Sequence, residues 1–112
     1  DGAEKLGRFD QLLAQQLSRF LQRLKETPEK SGSMLDNTLV FYGSSNSKTH
    51  NNTNYPLILA GGKSMGFKHN QFLRPGANVP LSNVFVTMLE AMGIPHEGFA
   101  DSTGELADLR RS

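Results

Sequence analysis

The residues best placed to do chemistry lie between Gly43 and Gly62. A polar loop, Gly43–Asn54, carries His50 among hydroxyl and amide side chains: Ser44, Ser45, Asn46, Ser47, Thr49, Asn51, Asn52 and Asn54. Two glycines, Gly61 and Gly62, follow the apolar run after it. A loop this long and this polar is a usual place for function. In an open α/β sheet, ligands gather at the carboxyl ends of strands. Ser44, Ser45, Asn46, His50, Asn51, Asn54, Gly61 and Gly62 are therefore the expected ligand-binding residues. The glycines would admit close backbone approach. The competing reading is a surface loop whose asparagines serve local turns, because Asn readily bonds its own backbone.

What this loop could catalyse is narrowed by what surrounds it. His50, His69 and His96 do not stand three or four residues apart, the spacing of a helical zinc pair. No Asp or Glu occurs between Asp36 and Glu90, so the anionic ligands that hard cations require are missing here. No metal or cofactor is expected. Ser44, Ser45, Ser47 and Thr49 lie near His50, but a serine triad needs an orienting acid and an oxyanion hole. Asp101 is the one downstream acid in a suggestive setting, and there is no GxSxG elbow. The letters Gly62-Lys63-Ser64 mimic a phosphate-binding loop, yet Leu57 occupies the position of its first glycine. Asn51-Asn52-Thr53 matches a glycosylation acceptor, a triplet common by chance. No catalytic residue is assigned.

The elements that must position the loop follow from periodicity. Leu6, Phe9, Leu12, Leu13, Leu17, Phe20, Leu21 and Leu24 recur in steps of 3, 3, 1, 4, 3, 1 and 3, which predicts an amphipathic helix over about 4–26. Thr27-Pro28 ends it. The leucine face reads as a core contact or as a dimer seam. Thr38–Tyr42 and Pro56–Ala60 are short, nearly all-apolar runs, as in strands covered on both faces of a parallel sheet. Phe67, His69 and Gln71 alternate with Lys68, Asn70 and Phe72, suggesting a short strand or hairpin within Lys63–Arg74. A second helix is predicted over 81–92, with Leu81, Val84, Phe85, Met88, Leu89 and Met92 on one face. A tail over 94–112 contains one short helical turn near Glu105–Leu109.

The fold class expected is α/β: a small sheet of mostly parallel apolar strands with flanking helices, in a single domain over 1–112. The chain has no cysteine, so disulfides and thiolate chemistry are excluded. Its net charge of +1 gives no electrostatic footprint for nucleic acid or an anionic membrane. No apolar run reaches the ~18 residues of a membrane span. Two strands and two helices leave faces and strand edges uncovered, so a homodimer is expected.

Three blocks carry a family resemblance: TLVFYGSSNSKTHNNTNYPLILAGG, NVPLSNVFVTMLEAMGIP and FADSTGEL. In that order they resemble the C-terminal segment of a bacterial family of exported proteins of unsettled activity. That family is a branch of the alkaline phosphatase and sulfatase superfamily. The resemblance implies the C-terminal part of an alkaline phosphatase-like fold, and an exported or periplasmic location. In the superfamily an Asp-His metal-binding pair follows the strand that Thr38–Tyr42 matches; Ser44-Ser45 stand there instead. His50 matches a histidine that often completes a metal or substrate site. The nucleophile and other ligands would lie upstream, outside this chain, which then looks like a truncated C-terminal portion. The function expected is a non-catalytic C-terminal segment that self-associates. The alternatives are part of a phosphate or sulfate ester hydrolase, with substrate held by the loop around His50, and a small-ligand binding module.

Overall fold

The architecture was analysed in a computed structural model, which describes residues 1–45, 50, 53–54 and 56–110. Its longest element is α1, Gly2–Glu26. Asp1 caps it, its carboxylate accepting from the Ala3 N–H at 3.2 Å. Glu4 in the first turn and Arg23 and Lys25 in the last suit the helix dipole. At the far end Thr27 turns extended ahead of Pro28, and its hydroxyl donates to the Arg23 carbonyl at 2.6 Å.

The chain then enters a turn that Asp36 holds together. Its carboxylate accepts from the Ser33 N–H at 3.0 Å. Its backbone carbonyl accepts from both the N–H (3.0 Å) and the hydroxyl (2.8 Å) of Ser64. This turn leads into β1, Leu39–Gly43, which pairs with β2, Leu57–Gly61.

The pairing is antiparallel, with Leu39 opposite Gly61 and Gly43 opposite Leu57, and it corrects the expected mostly parallel sheet. A parallel pair needs a crossover long enough to carry a covering element. Residues 44–56 hold no apolar period from which such a helix could form, so the chain returns as a hairpin. The strands are also not sealed on both faces: β1 is half-buried over residues 39–42 and Ile58 of β2 is exposed. An apolar run alone does not distinguish a doubly covered strand from a half-open one.

After β2 comes a 3-10 turn, Lys63–Met65, and not the strand or hairpin expected over Lys63–Arg74. Phe67 makes only an isolated bridge to Arg110. Phe67 is buried to 1% exposure because the chain end straps across it. Arg110 donates twice to the Met65 carbonyl, at 3.2 and 3.1 Å, and Lys68 N–H donates to the Leu109 carbonyl at 2.9 Å. The second helix, α2, is Ser82–Ala91. Phe85 on α2 meets Phe41 of β1 edge-on at 5.3 Å and Phe99 of the tail at 5.8 Å. This aromatic row is the link from hairpin to helix to tail.

The interior is small. Among the described residues only Leu24, Phe67 and Val86 are buried apolar side chains, alongside buried Ser82, Asn83 and Thr87. The Cα radius of gyration is 15.8 Å, against about 13 Å for a compact chain of this length. The accessible surface is 8473 Å², against about 6,100 Å² for a folded monomer of this mass. Much of the difference is α1. Leu24 is buried where the helix meets the body, yet Leu6 (61%), Phe9 (54%), Leu12, Leu13 and Phe20 (51%) stay exposed.

The Asp36 carboxyl sits below its ordinary value of 3.8, first because the Ser33 N–H bonds the charged form; the Ser33 hydroxyl and the Lys63 charge act in the same direction, against partial desolvation. A lowered carboxyl contributes stability that is present above the unfolded value and is lost as pH falls through the folded one. Urea midpoints of the wild type should therefore drop as pH falls below 3.8, and those of Asp36→Asn should drop less. Equal pH slopes would show that Asp36 does not hold this turn through its charge.

Candidate functional site

The antiparallel register divides the expected binding residues between two places. Ser44, Ser45, His50 and Asn54 belong to the end of the hairpin where Gly43 faces Leu57. Gly61 and Gly62 belong to the opposite end, where Gly61 faces Leu39. Five-residue strands put these ends about 14 Å apart. In a parallel pair both would have shared one strand end; here the glycines cannot join a pocket around His50.

At the loop end, Ser44, Ser45, His50 and Asn54 are all exposed. His50 (φ 62°) and Asn54 (φ 53°) adopt left-handed backbone, a conformation in which Asn and His are enriched and which belongs to turns. Asn46 and Asn51, also expected in the site, lie outside the described residues.

At the other end the glycines do permit a close approach, but to the chain itself. Gly61 (φ 79°) and Gly62 (φ 70°) are buried and left-handed. A Cβ on Gly61 would collide with the Thr38 carbonyl oxygen and lie 2.8 Å from that of Leu35; one on Gly62 would run into the Leu39 side chain. The Gly62 N–H donates to the Leu35 carbonyl at 3.0 Å, and the Phe67 N–H donates to the Gly62 carbonyl at 3.3 Å. His69 Nε2–H donates to the Gly61 carbonyl at 2.8 Å. The space that a ligand would need is filled by the chain's own backbone and by Leu39.

The densest cluster of polar side chains lies elsewhere, where α2 meets the tail. Ser82 Oγ–H donates to Asp101 Oδ1 at 2.7 Å. Asn83 bonds Thr103 twice, donating from Nδ2 to Oγ1 at 3.0 Å and accepting the Thr103 N–H at Oδ1 at 2.8 Å. Thr87, fully buried, accepts the Leu106 N–H at Oγ1 at 2.8 Å and donates to the Asn83 carbonyl at 2.8 Å. Of these residues the sequence singles out Asp101 alone; Ser82, Asn83 and Thr87 fall within the predicted helix with no role assigned. The available signal was Asn83 and Thr87 four apart, on a helix whose apolar face was already assigned to other positions.

Chemically this cluster is a fastener. Among the described residues, no buried side-chain nitrogen or oxygen lacks a partner. Asp101 accepts from Ser82 with no histidine between them, which is not the relay that activates a serine. His96 is engaged separately: its Nδ1 accepts the Gly98 N–H at 3.0 Å and its Nε2–H donates to Glu90 Oε1 at 2.6 Å. No group of three His, Asp or Glu among the described residues could hold a metal ion. What the cluster does is satisfy tail backbone. Leaving one such buried amide unpaired would cost about 1–3 kcal/mol.

Gly61→Ala should lower unfolding stability by roughly 2 kcal/mol or more, from left-handed strain together with the collision at Thr38. His50→Ala, at an exposed position, should stay within about 0.5 kcal/mol of wild type. Urea denaturation of the two variants checks both. A tolerated Gly61→Ala would mean that the glycine pair does not hold the hairpin against Leu35 and Thr38.

In comparisons with known proteins, no family model matches the chain, no curated protein matches it, and no solved structure matches it.

Proposed function

We propose that this chain is a self-associating segment, working by assembly with a second copy rather than by turnover. The observation that carries this is the apolar face of α1, where Leu6, Phe9, Leu12, Leu13 and Phe20 are between 38% and 61% exposed. Contiguous apolar patches of this kind mark interaction surfaces. The surface in excess of a folded monomer is roughly 2,400 Å², against the ~800 Å² that each partner gives to a stable interface. Support also comes from the hairpin, whose register separates the residues a substrate pocket would need.

Light scattering over a concentration series tests the proposal. The expected mass is twice the 12.3 kDa of one chain. Phe20→Ser should weaken the dimer by about tenfold or more, since two phenylalanines lose their burial, with helical circular dichroism retained. A mass of 12.3 kDa at every concentration would overturn the proposal.

A further inference from the structure

We infer that two copies pair through α1 in antiparallel orientation, with the two-fold axis at Leu13; this rests on the self-association proposed above. The first ground is the spacing of the stripe. Leu6, Phe9, Leu13, the half-buried Leu17 and Phe20 follow one another in steps of 3, 4, 4 and 3, which read the same in both directions, with the exposed Leu12 flanking this seam. Steps of three and four keep these residues on one seam, as in paired helices. A two-fold axis at Leu13 sets Leu6 against the partner's Phe20, Phe9 against the partner's Leu17, and Leu13 against itself. Every phenylalanine of the seam then faces a leucine. A parallel pairing would instead stack Phe9 on Phe9 and Phe20 on Phe20, concentrating the bulk in two layers.

The second ground is charge. Residues 1–13 carry three acids, Asp1, Glu4 and Asp10, against two bases, Lys5 and Arg8. Residues 14–26 carry three bases, Arg19, Arg23 and Lys25, against one acid, Glu26. Antiparallel pairing lays the acidic half over the basic half and opposes the two helix dipoles. Parallel pairing lays like on like at both ends. The third ground is area. On the scale of an aromatic side chain, the exposed Leu6, Phe9, Leu12, Leu13 and Phe20 offer on the order of 400–500 Å² of apolar surface per copy. With its polar flanks, that approaches the amount each partner contributes to a specific interface.

The chain has no cysteine, so single nitroxide labels can be placed without interference. Glu4→Cys and Gln15→Cys lie on the face of α1 opposite the stripe, at exposed positions, and leave the seam intact. Across a two-fold axis at Leu13, Glu4 labels sit about 27 Å apart along the helix axis and Gln15 labels about 6 Å. Dipolar spectroscopy of each labelled dimer should therefore give the longer distance at Glu4. Equal distances at the two sites, or a longer one at Gln15, in a sample of dimer mass overturn the antiparallel register and leave self-association standing. A monomer mass for both labelled chains and for the wild type overturns both.

Discussion

A chain of 12.3 kDa that leaves 8473 Å² in contact with water has to hold its fold with very little interior. Hydrophobic burial is the main favourable term in folding, and here the described core supplies three buried apolar side chains. The structure responds by satisfying backbone with side chains. Asp36 and Ser33 close the turn before β1. Ser82, Asn83 and Thr87 hold the tail to α2. Arg110 and Leu109 seal Phe67. Each such bond is worth only about a kilocalorie net, so these fasteners set the shape of the body and do not replace an apolar core. The exposed face of α1 is one place where missing burial can be supplied.

The two ends of the hairpin have different roles for the same reason. At the Gly61 end the chain folds upon itself so closely that a Cβ does not fit, and two stretches converge on the glycine pair: Leu35 with Thr38–Leu39, and Phe67 with His69. That end is the joint of the fold. At the Gly43 end the described residues Ser44, Ser45, His50 and Asn54 are exposed, with left-handed backbone at His50 and Asn54. Nothing described there packs inward. The joint is thus closed by sterics, while the described residues of the loop, Ser44, Ser45, His50, Thr53 and Asn54, are exposed.

The helices were legible in the sequence because a 3.6-residue apolar period has one physical meaning, and both lie where it put them, within a residue or two. The strands were legible as strands, but not their direction. Leu39–Tyr42 and Leu57–Ala60 look alike whether the chain crosses over or turns back; the decision lay in the connecting residues 44–56, which lack the period of a crossover helix. The glycine pair was legible as a place of close approach, and the backbone that comes close is that of Leu35 and Thr38, which nothing local in the sequence records. The polar fastener on α2 was illegible for a different reason: Ser82, Asn83 and Thr87 find their partners 19 and 20 residues downstream, a separation that no local pattern records.

Amide hydrogen exchange measured across a concentration series tests most directly whether α1 is completed by a second copy. Protection of residues 2–20 should rise with protein concentration, while protection of α2 stays constant, because the exposed face is on the first helix and the fastener is internal to the body. Protection of α1 that is already high and does not change with concentration would contradict the account, since the helix would then be stable without anything covering its apolar face.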